Sequence, residues 1–380
     1  MPKVSLVKCT SYNQEEVYKS IKKSIELIGG LNIKPGSKVL IKPNLLRPKH
    51  PKYAVTTHPE VIRAIIRLLK EKNCKICVGD SPGFHDAITT AKVCGILDVC
   101  KQENVPFVAF KNKKIYLYKE AILMKRFELS DIIDKVDYII NVPKLKTHVM
   151  MGATLAVKNT FGFIIGLNKS QLHFKMEDKE KFASMLVDLN NFVKPSINIM
   201  DGIVGMEGEG PGNGDPIHSG MISASYNSLA MDIVMCKVIG FEPLDIWTNK
   251  IALSRKEKDF IKKIEIVGES LEDVKIKFKP CEQKPLSFVL PKGIAKILGN
   301  LITSKPKINP KSCKACCECI KICPAKTISL KEYKGKKAAF IDRKYCIRCY
   351  CCHEICPYSA IDIKRSIAGE FLELLRKILT

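Results

Sequence analysis

The chain of 380 residues carries 63 Lys/Arg against 39 Asp/Glu, a formal net charge of +24, and 17 cysteines. With 46% apolar and 27% charged residues, it has the balance of a folded globular protein of two or three domains; global disorder and a small disulfide scaffold are excluded. Only nine basic residues are Arg, and Lys is interleaved with Ile along the whole chain, which reads as compositional bias rather than a nucleic-acid binder's Arg forks and aromatic platforms.

From the N-terminus, a helical pattern over Glu15–Ile28 stops at Gly29-Gly30, a helix C-cap signal. Lys38–Ile41 is a short apolar run that enters the polar loop Lys42-Pro43-Asn44-Leu45-Leu46. Thr57 as N-cap and Pro59 in the first turn start a helix carrying Val61, Ile62, Ile65, Ile66, Leu68 and Leu69. The run-then-loop theme returns at Lys75–Val78 before Gly79-Asp80-Ser81-Pro82-Gly83, and at Asp137–Val142 before Pro143-Lys144-Leu145-Lys146-Thr147-His148. Gly152–Gly166, with Lys158 and Asn159, reads as a second glycine-rich wall. Residues 167–195, with Gln171, His173 and Phe174 at their start, read as a helical insertion able to cover a cleft. Ser196–Met200 leads into Asp201-Gly202 and a run with Gly205, Gly208, Gly210, Gly212 and Gly214; Asn227–Ile239 ends at Gly240.

Short uninterrupted apolar runs indicate strands buried on both faces, hence parallel. Their alternation with helices predicts a doubly wound, mostly parallel α/β domain over residues 1–258, followed by a connecting element over 259–304. In such sheets ligands bind beyond the carboxyl ends of the strands, where the polar loops should converge on one cleft.

The residues in those loops have two readings each. Lys42, Lys144, Lys146 and Lys158 together suit a carboxylate or phosphate, while any one of them is equally a solvated side chain. His148 suits general acid or base work near neutral pH, or hydrogen bonding to its own loop. Asp80, Asp201 and Glu207 suit proton transfer or a divalent metal, or cap their turns. The candidate catalytic set is therefore His148, Lys146, Asp201 and Asp80. The candidate substrate-binding set is Lys42, Asn44, His58, Lys144, Lys158, Asn159 and Glu207. The glycine run lacks both the P-loop and dinucleotide fingerprints and reads as a close-approach loop or lid. Cys74-x2-Cys77 has no second pair nearby and, with Cys9, Cys94, Cys100, Cys236 and Cys281, reads as core thiols.

Lys42-Pro43-Asn44, Thr56-Thr57-His58-Pro59, Gly79-Asp80-Ser81-Pro82-Gly83, Pro143 to His148, Lys158-Asn159-Thr160-Phe161-Gly162 and Asp201 to Gly208 occur in that order. This set, over roughly residues 1–250, resembles the DUF362 family, whose members are often fused to a C-terminal ferredoxin pair. The resemblance implies an active site but no established reaction.

Ten cysteines fall between Cys313 and Cys356: Cys313-x2-Cys316-x2-Cys319-x3-Cys323-Pro324, then Cys346-x2-Cys349-x2-Cys352-x3-Cys356-Pro357. This is the bacterial ferredoxin run given twice, in which the fourth thiolate serves the other cluster. It assigns one [4Fe-4S] cluster to Cys313, Cys316, Cys319 and Cys356, and a second to Cys346, Cys349, Cys352 and Cys323. Zinc knuckles, built from two C-x2-C pairs per ion, fit the spacing poorly. Residues 305–365 resemble dicluster ferredoxins, with Cys317 and Cys351 outside the spacing. A hairpin turning at Tyr333-Lys334-Gly335 and a short strand Ala360–Ile363 are expected, then a C-terminal helix over 366–380 with Phe371, Leu372, Leu375 and Leu379 on one face. Residues 305–365 have 15 Lys/Arg against five Asp/Glu, a net +10, so an acidic redox partner protein, an electron carrier or an anionic substrate is the expected company.

No apolar run approaches the roughly 18 residues of a membrane span. The start lacks the apolar core of a secretory signal. The expectation is a cytoplasmic iron-sulfur oxidoreductase or electron-transfer protein that passes electrons to an anionic small molecule in the α/β cleft, or a non-enzymatic electron-transfer or maturation partner docking on another redox enzyme.

Overall fold

A strand with apolar side chains on both faces folds only where helices cover both faces of the sheet, and that condition organises the larger part of the molecule. The computed structural model describes residues 1–83, 85–166, 168–176, 178–281 and 305–364, and the chain divides into a unit of Met1–Lys279 and a unit of Pro280–Thr380.

In the first unit the strands are β1 (Lys3–Lys8), β2 (Lys38–Pro43), β3 (Lys75–Asp80), β4 (Phe107–Ala109), β5 (Lys113–Leu117), β6 (Arg126–Ser130), β7 (Tyr138–Val142), β8 (Lys144–His148), β9 (Gly152–Thr154), β10 (Ile197–Glu207), β11 (Asp215–Ser225) and β12 (Glu265–Gly268). The main sheet runs β12-β1-β11-β10-β7-β2-β3-β4, with β8 and β9 branching from β10 and a separate β5–β6 hairpin. Pairing is parallel between β10, β7, β2, β3 and β4, between β1 and β12, and between β10 and β8; β11 runs antiparallel to both its neighbours. This is an α/β fold around a large, mostly parallel sheet. Ile197 and Ile199 of β10 join a core with the helices Gln14–Leu27 and Pro59–Lys70, while Met200 joins the opposite core under the helix Ser228–Val238. Both faces are covered, as the apolar runs require.

Four local expectations change. Residues 144–148, read as a loop, form β8, with every residue buried. The glycine run is not one loop: β10 continues through Glu207, and residues 208–214 form the turn into β11. The N-cap of the second helix is His58, which accepts from the Glu60 amide, while Thr57 Oγ1 ties β2 to β7 through Asn44 N and Val142 O. Residues 265–268, within the stretch read as a connector, add β12 to the edge of the main sheet. Helices do occupy Asn168–Lys175 and Lys179–Val193. The expected helix over 366–380 and most of the connector lie outside the described residues.

The second unit is built twice. β13 (Lys305–Ile308), the helix Glu318–Ile322 and β14 (Ile328–Tyr333) are followed by β15 (Lys336–Ile341), the helix Cys351–Ile355 and β16 (Ile361–Lys364). β13 pairs with β16 and β14 with β15, turning at Lys334-Gly335, both at positive φ. Residues in the left-handed region also recur in pairs, Ala315 with Arg348, Cys317 with Tyr350 and Lys326 with Ser359, each pair at the same place within its cysteine run.

Candidate functional site

β2 and β3 are adjacent and parallel, so their carboxyl ends bring Lys42 beside Asp80. Lys42 Nζ lies 2.9 Å from Asp80 Oδ1, with both side chains essentially sealed from water. The remaining carboxylate bonds come from the Leu45 and Ser81 amides. Burial pushes the Lys42 ammonium below its ordinary pKa, against the pull of Asp80. The backbone of Gly162 covers this pair so closely that any side chain there would overlap Asp80 Oδ1 and Lys42 Nζ.

A second pair forms where β8 meets β10. Lys144 Nζ is 2.8 Å from Asp201 Oδ2 and 2.8 Å from the Tyr12 hydroxyl oxygen. Tyr12 donates its hydroxyl proton to Asp201 Oδ1 at 3.0 Å, and the His58 amide donates to Asp201 Oδ2 at 2.8 Å. The Tyr12 and His58 rings stack at 3.5 Å, 10° from parallel. Burial pushes His58 down to about 4, opposed by Asp201, and raises Tyr12 well above its ordinary value.

Between the two pairs runs an amide chain. Lys146 Nζ donates to Asn44 Oδ1 at 2.8 Å and Val55 O at 2.7 Å; Asn44 donates to Asn159 Oδ1, and Asn159 to Asn141 Oδ1. Asn159 is held at the end of the short helix Ala156–Asn159, whose first amides bond the buried Asp232 carboxylate.

The structure therefore places Lys42 with Asp80, Asn44 and Asn159 with Lys146, and Lys144 and His58 with Asp201. The others take local roles. His148 Nδ1 accepts from the Met150 and Met151 amides, and burial pushes the ring well below its ordinary pKa; this is the loop-bonding arrangement. Glu207 bonds the Lys279 amide at 2.7 Å, and Lys158 lies partly buried over the Phe161 ring. The glycine turn is fastened by Arg47, which donates to Gly212 O and Asn213 Oδ1, and by Thr147, which donates to Gly208 O.

Sequence reasoning passed over Tyr12, Asn141, Asp232 and Lys169, and named Gly162 only as part of a motif. Lys169 is buried on the helix Asn168–Lys175, with Nζ donating to Ser81 O. Burial pushes its ammonium down from 10.5 to about 7; Asp80 pulls it up, and Lys42 and Lys158 push it further down. Because the folded value lies below the unfolded one, the unfolded chain binds more protons between those limits. Stability should therefore rise with pH from about 7 toward 10.5, and urea midpoints of a Lys169→Met protein should show a flatter slope across that window. An identical slope in both proteins would place the ammonium in water.

In the second unit Cys313, Cys316, Cys317, Cys319 and Cys356 line one open cavity, with Ile308, Ala339 and Ile361 in its walls. Burial pushes Cys319 up to about 12, with Cys356, Cys313 and Cys316 adding to the shift. Burial also raises Cys352 well above its ordinary value, with contributions from Cys349, Cys346, Cys319 and Cys323. The amides of Ala339, Thr327 and Ala360 donate to Cys313, Cys323 and Cys356 sulfurs at 3.3–3.5 Å. Among the described residues no three His, Cys, Asp or Glu side chains are gathered tightly enough for a single metal ion.

A family profile described as a domain of unknown function, DUF362, matches residues 39–237. Thylakoid-associated protein sll1697 of Synechocystis is 34% identical over 248 residues, 64% of this chain and 77% of that protein. Two solved structures are similar at low identity. One is a Thermotoga maritima protein with TM-score 0.38, 12% identity and 58% of this chain covered. The other is the lactate racemase apoprotein of Thermoanaerobacterium thermosaccharolyticum, with TM-score 0.42, 11% identity and 63% covered. The chain spans 57% and 56% of those two structures. Among the described residues no helix is long and apolar enough to cross a membrane. On the profile match over residues 39–237, the chain belongs to the DUF362 family.

Proposed function

We propose that this is an iron-sulfur redox protein whose second unit holds two [4Fe-4S] clusters and whose first unit carries the site that uses their electrons. One observation carries the reading: thiols from both halves of the repeat line a single cavity, Cys313, Cys316, Cys319 and Cys356 at the ferredoxin spacing with Cys317 beside them. The residues fit the group. Three sulfurs at x2 spacing with a fourth from the partner run suit a cube, the cavity walls are apolar, and N–H donors at the sulfurs are a recognised means of setting potential. Cys346, Cys349, Cys352 and Cys323 form the equivalent second set. When bound, the clusters supply single-electron transfer. The chain's own contribution is to hold the sulfurs, limit water at them and surround them with the basic field of Lys and Arg side chains.

Anaerobic reconstitution should yield about eight iron and eight sulfide per chain, with a visible band bleached by dithionite. A product with about two zinc and no sulfide would overturn the reading in favour of knuckles.

In the first unit, the network from Asp80 to Asp201 is the proposed site for an anionic small molecule or cofactor, with Lys146 and Lys169 as its cationic groups and Asp80, Asp201 and Tyr12 placed for proton exchange. A second reading, a non-enzymatic partner that docks on another redox enzyme, is favoured by one feature: Lys42 and Lys144 already have carboxylate partners. Turnover of a metabolite by the reduced protein supports the first. A stoichiometric, salt-sensitive complex without turnover supports the second.

A further inference from the structure

The β5–β6 hairpin leaves apolar surface uncovered in a chain that otherwise buries it. Ile115 and Leu117 are 49% and 71% exposed, and Ile122 and Leu123, in the connection between the strands, are 66% and 41% exposed. The hairpin's other face is ordinary core: Tyr116, Tyr118 and Phe127 gather around Phe192. Ile115 and Leu117 alternate with those tyrosines and so point away from them.

The exposed tip is also fixed. Asp188, itself buried, accepts the amides of Ile122, Leu123 and Met124 at 2.8–3.2 Å and is held by Arg255 at 2.7 Å. A carboxylate with three amide donors and a guanidinium is a rigid clamp, and what it presents is two outward aliphatic side chains. Around them stand Lys111, Lys113, Lys114, Lys119, Lys125 and Arg126, all exposed; Lys113 is paired with Glu128 and Lys114 with Asp134, which leaves Lys111, Lys119, Lys125 and Arg126 beside the acid Glu120.

We propose that this hairpin docks on an anionic lipid bilayer surface, with Leu117, Ile122 and Leu123 entering the headgroup region and the surrounding lysines over the phosphates. The chemistry favours lipid over protein. Protein interfaces are depleted in Lys and enriched in Arg and aromatic residues. Here every exposed anchor is aliphatic and none aromatic, and exposed cations outnumber the acids around them, the combination that binds acidic membrane surfaces. The hairpin lies apart from the Lys–Asp network and from the cysteine runs in the sequence, so the inference does not depend on the redox reading.

The test is co-sedimentation of the full chain with vesicles of phosphatidylcholine alone or mixed with phosphatidylglycerol, at low and high salt. Binding should require phosphatidylglycerol and weaken with salt. Leu117→Ser/Ile122→Ser/Leu123→Ser should weaken it by about tenfold or more, and Lys119→Gln/Lys125→Gln by about fivefold for each charge. All these positions are exposed, so circular dichroism should be unchanged. Undiminished binding of the triple Ser variant would overturn the proposal and assign attachment to other basic faces. No binding of the wild-type chain to either vesicle would overturn it and leave the hairpin to a protein partner.

Discussion

Asp201→Ala is expected to cost about 3–5 kcal/mol of stability, because it strands the Lys144 ammonium in a site that admits almost no water. The loss should be read by urea unfolding. Asp201→Ala/Lys144→Met should recover much of it, since a buried pair is often replaceable by apolar groups although neither half is tolerated alone. The Tyr12 hydroxyl and the His58 amide also lose an acceptor in both proteins, so recovery should be partial. Equal losses in the single and double variants would show that those hydrogen bonds, and not the ammonium, dominate.

The second large effect concerns the exchanged thiols. Cys356→Ser should deplete the set formed with Cys313, Cys316 and Cys319, and Cys323→Ser the set formed with Cys346, Cys349 and Cys352. Each should halve the iron recovered on reconstitution, whereas Cys317→Ser should leave it unchanged. Because a filled site contributes folding energy to a small domain, the two depleted proteins should also be cleaved faster by protease within residues 305–364. If Cys356→Ser instead removed iron from the Cys346 set, the ligands would be grouped by run and not exchanged.

How far these features were legible depends on what burial does to each residue type. β2, β3 and β7 announce themselves because Val39, Leu40 and Ile41, Ile76 and Val78, and Ile139 and Ile140 are apolar on both faces. The doubling of the cysteine runs is legible because equal spacing returns as equal local structure, the helices Glu318–Ile322 and Cys351–Ile355. β8 was not: Lys144, Lys146 and His148 alternate with Leu145 and Thr147, and buried lysines look like a loop until their partners just after β2, on β10 and in the segment before the second helix are known. Tyr12 was invisible for a related reason. A lone tyrosine in a polar stretch has no periodicity, and its hydroxyl gains a role only because Asp201 lies 189 positions away in the chain and 3.0 Å away in space. The glycines were noticed as a group, and Gly210 and Gly214 of the alternating run do abut backbone oxygens, but Gly162, outside that run, is as restricted, by the Lys42–Asp80 pair beneath it.

β8 has one more consequence. Its lysines and His148 occupy every second position, while Leu145 between them belongs to the apolar core shared with Met200 and Leu155. Moving the strand by one residue would drive two ammonium groups into that core and bring Leu145 to the carboxylate of Asp201. A side-chain period of two makes such a slip reverse every position at once. The charged alternation thus acts as a proofreading code for chain assembly: among neighbouring alignments of β8 on β10, only the native one satisfies both faces.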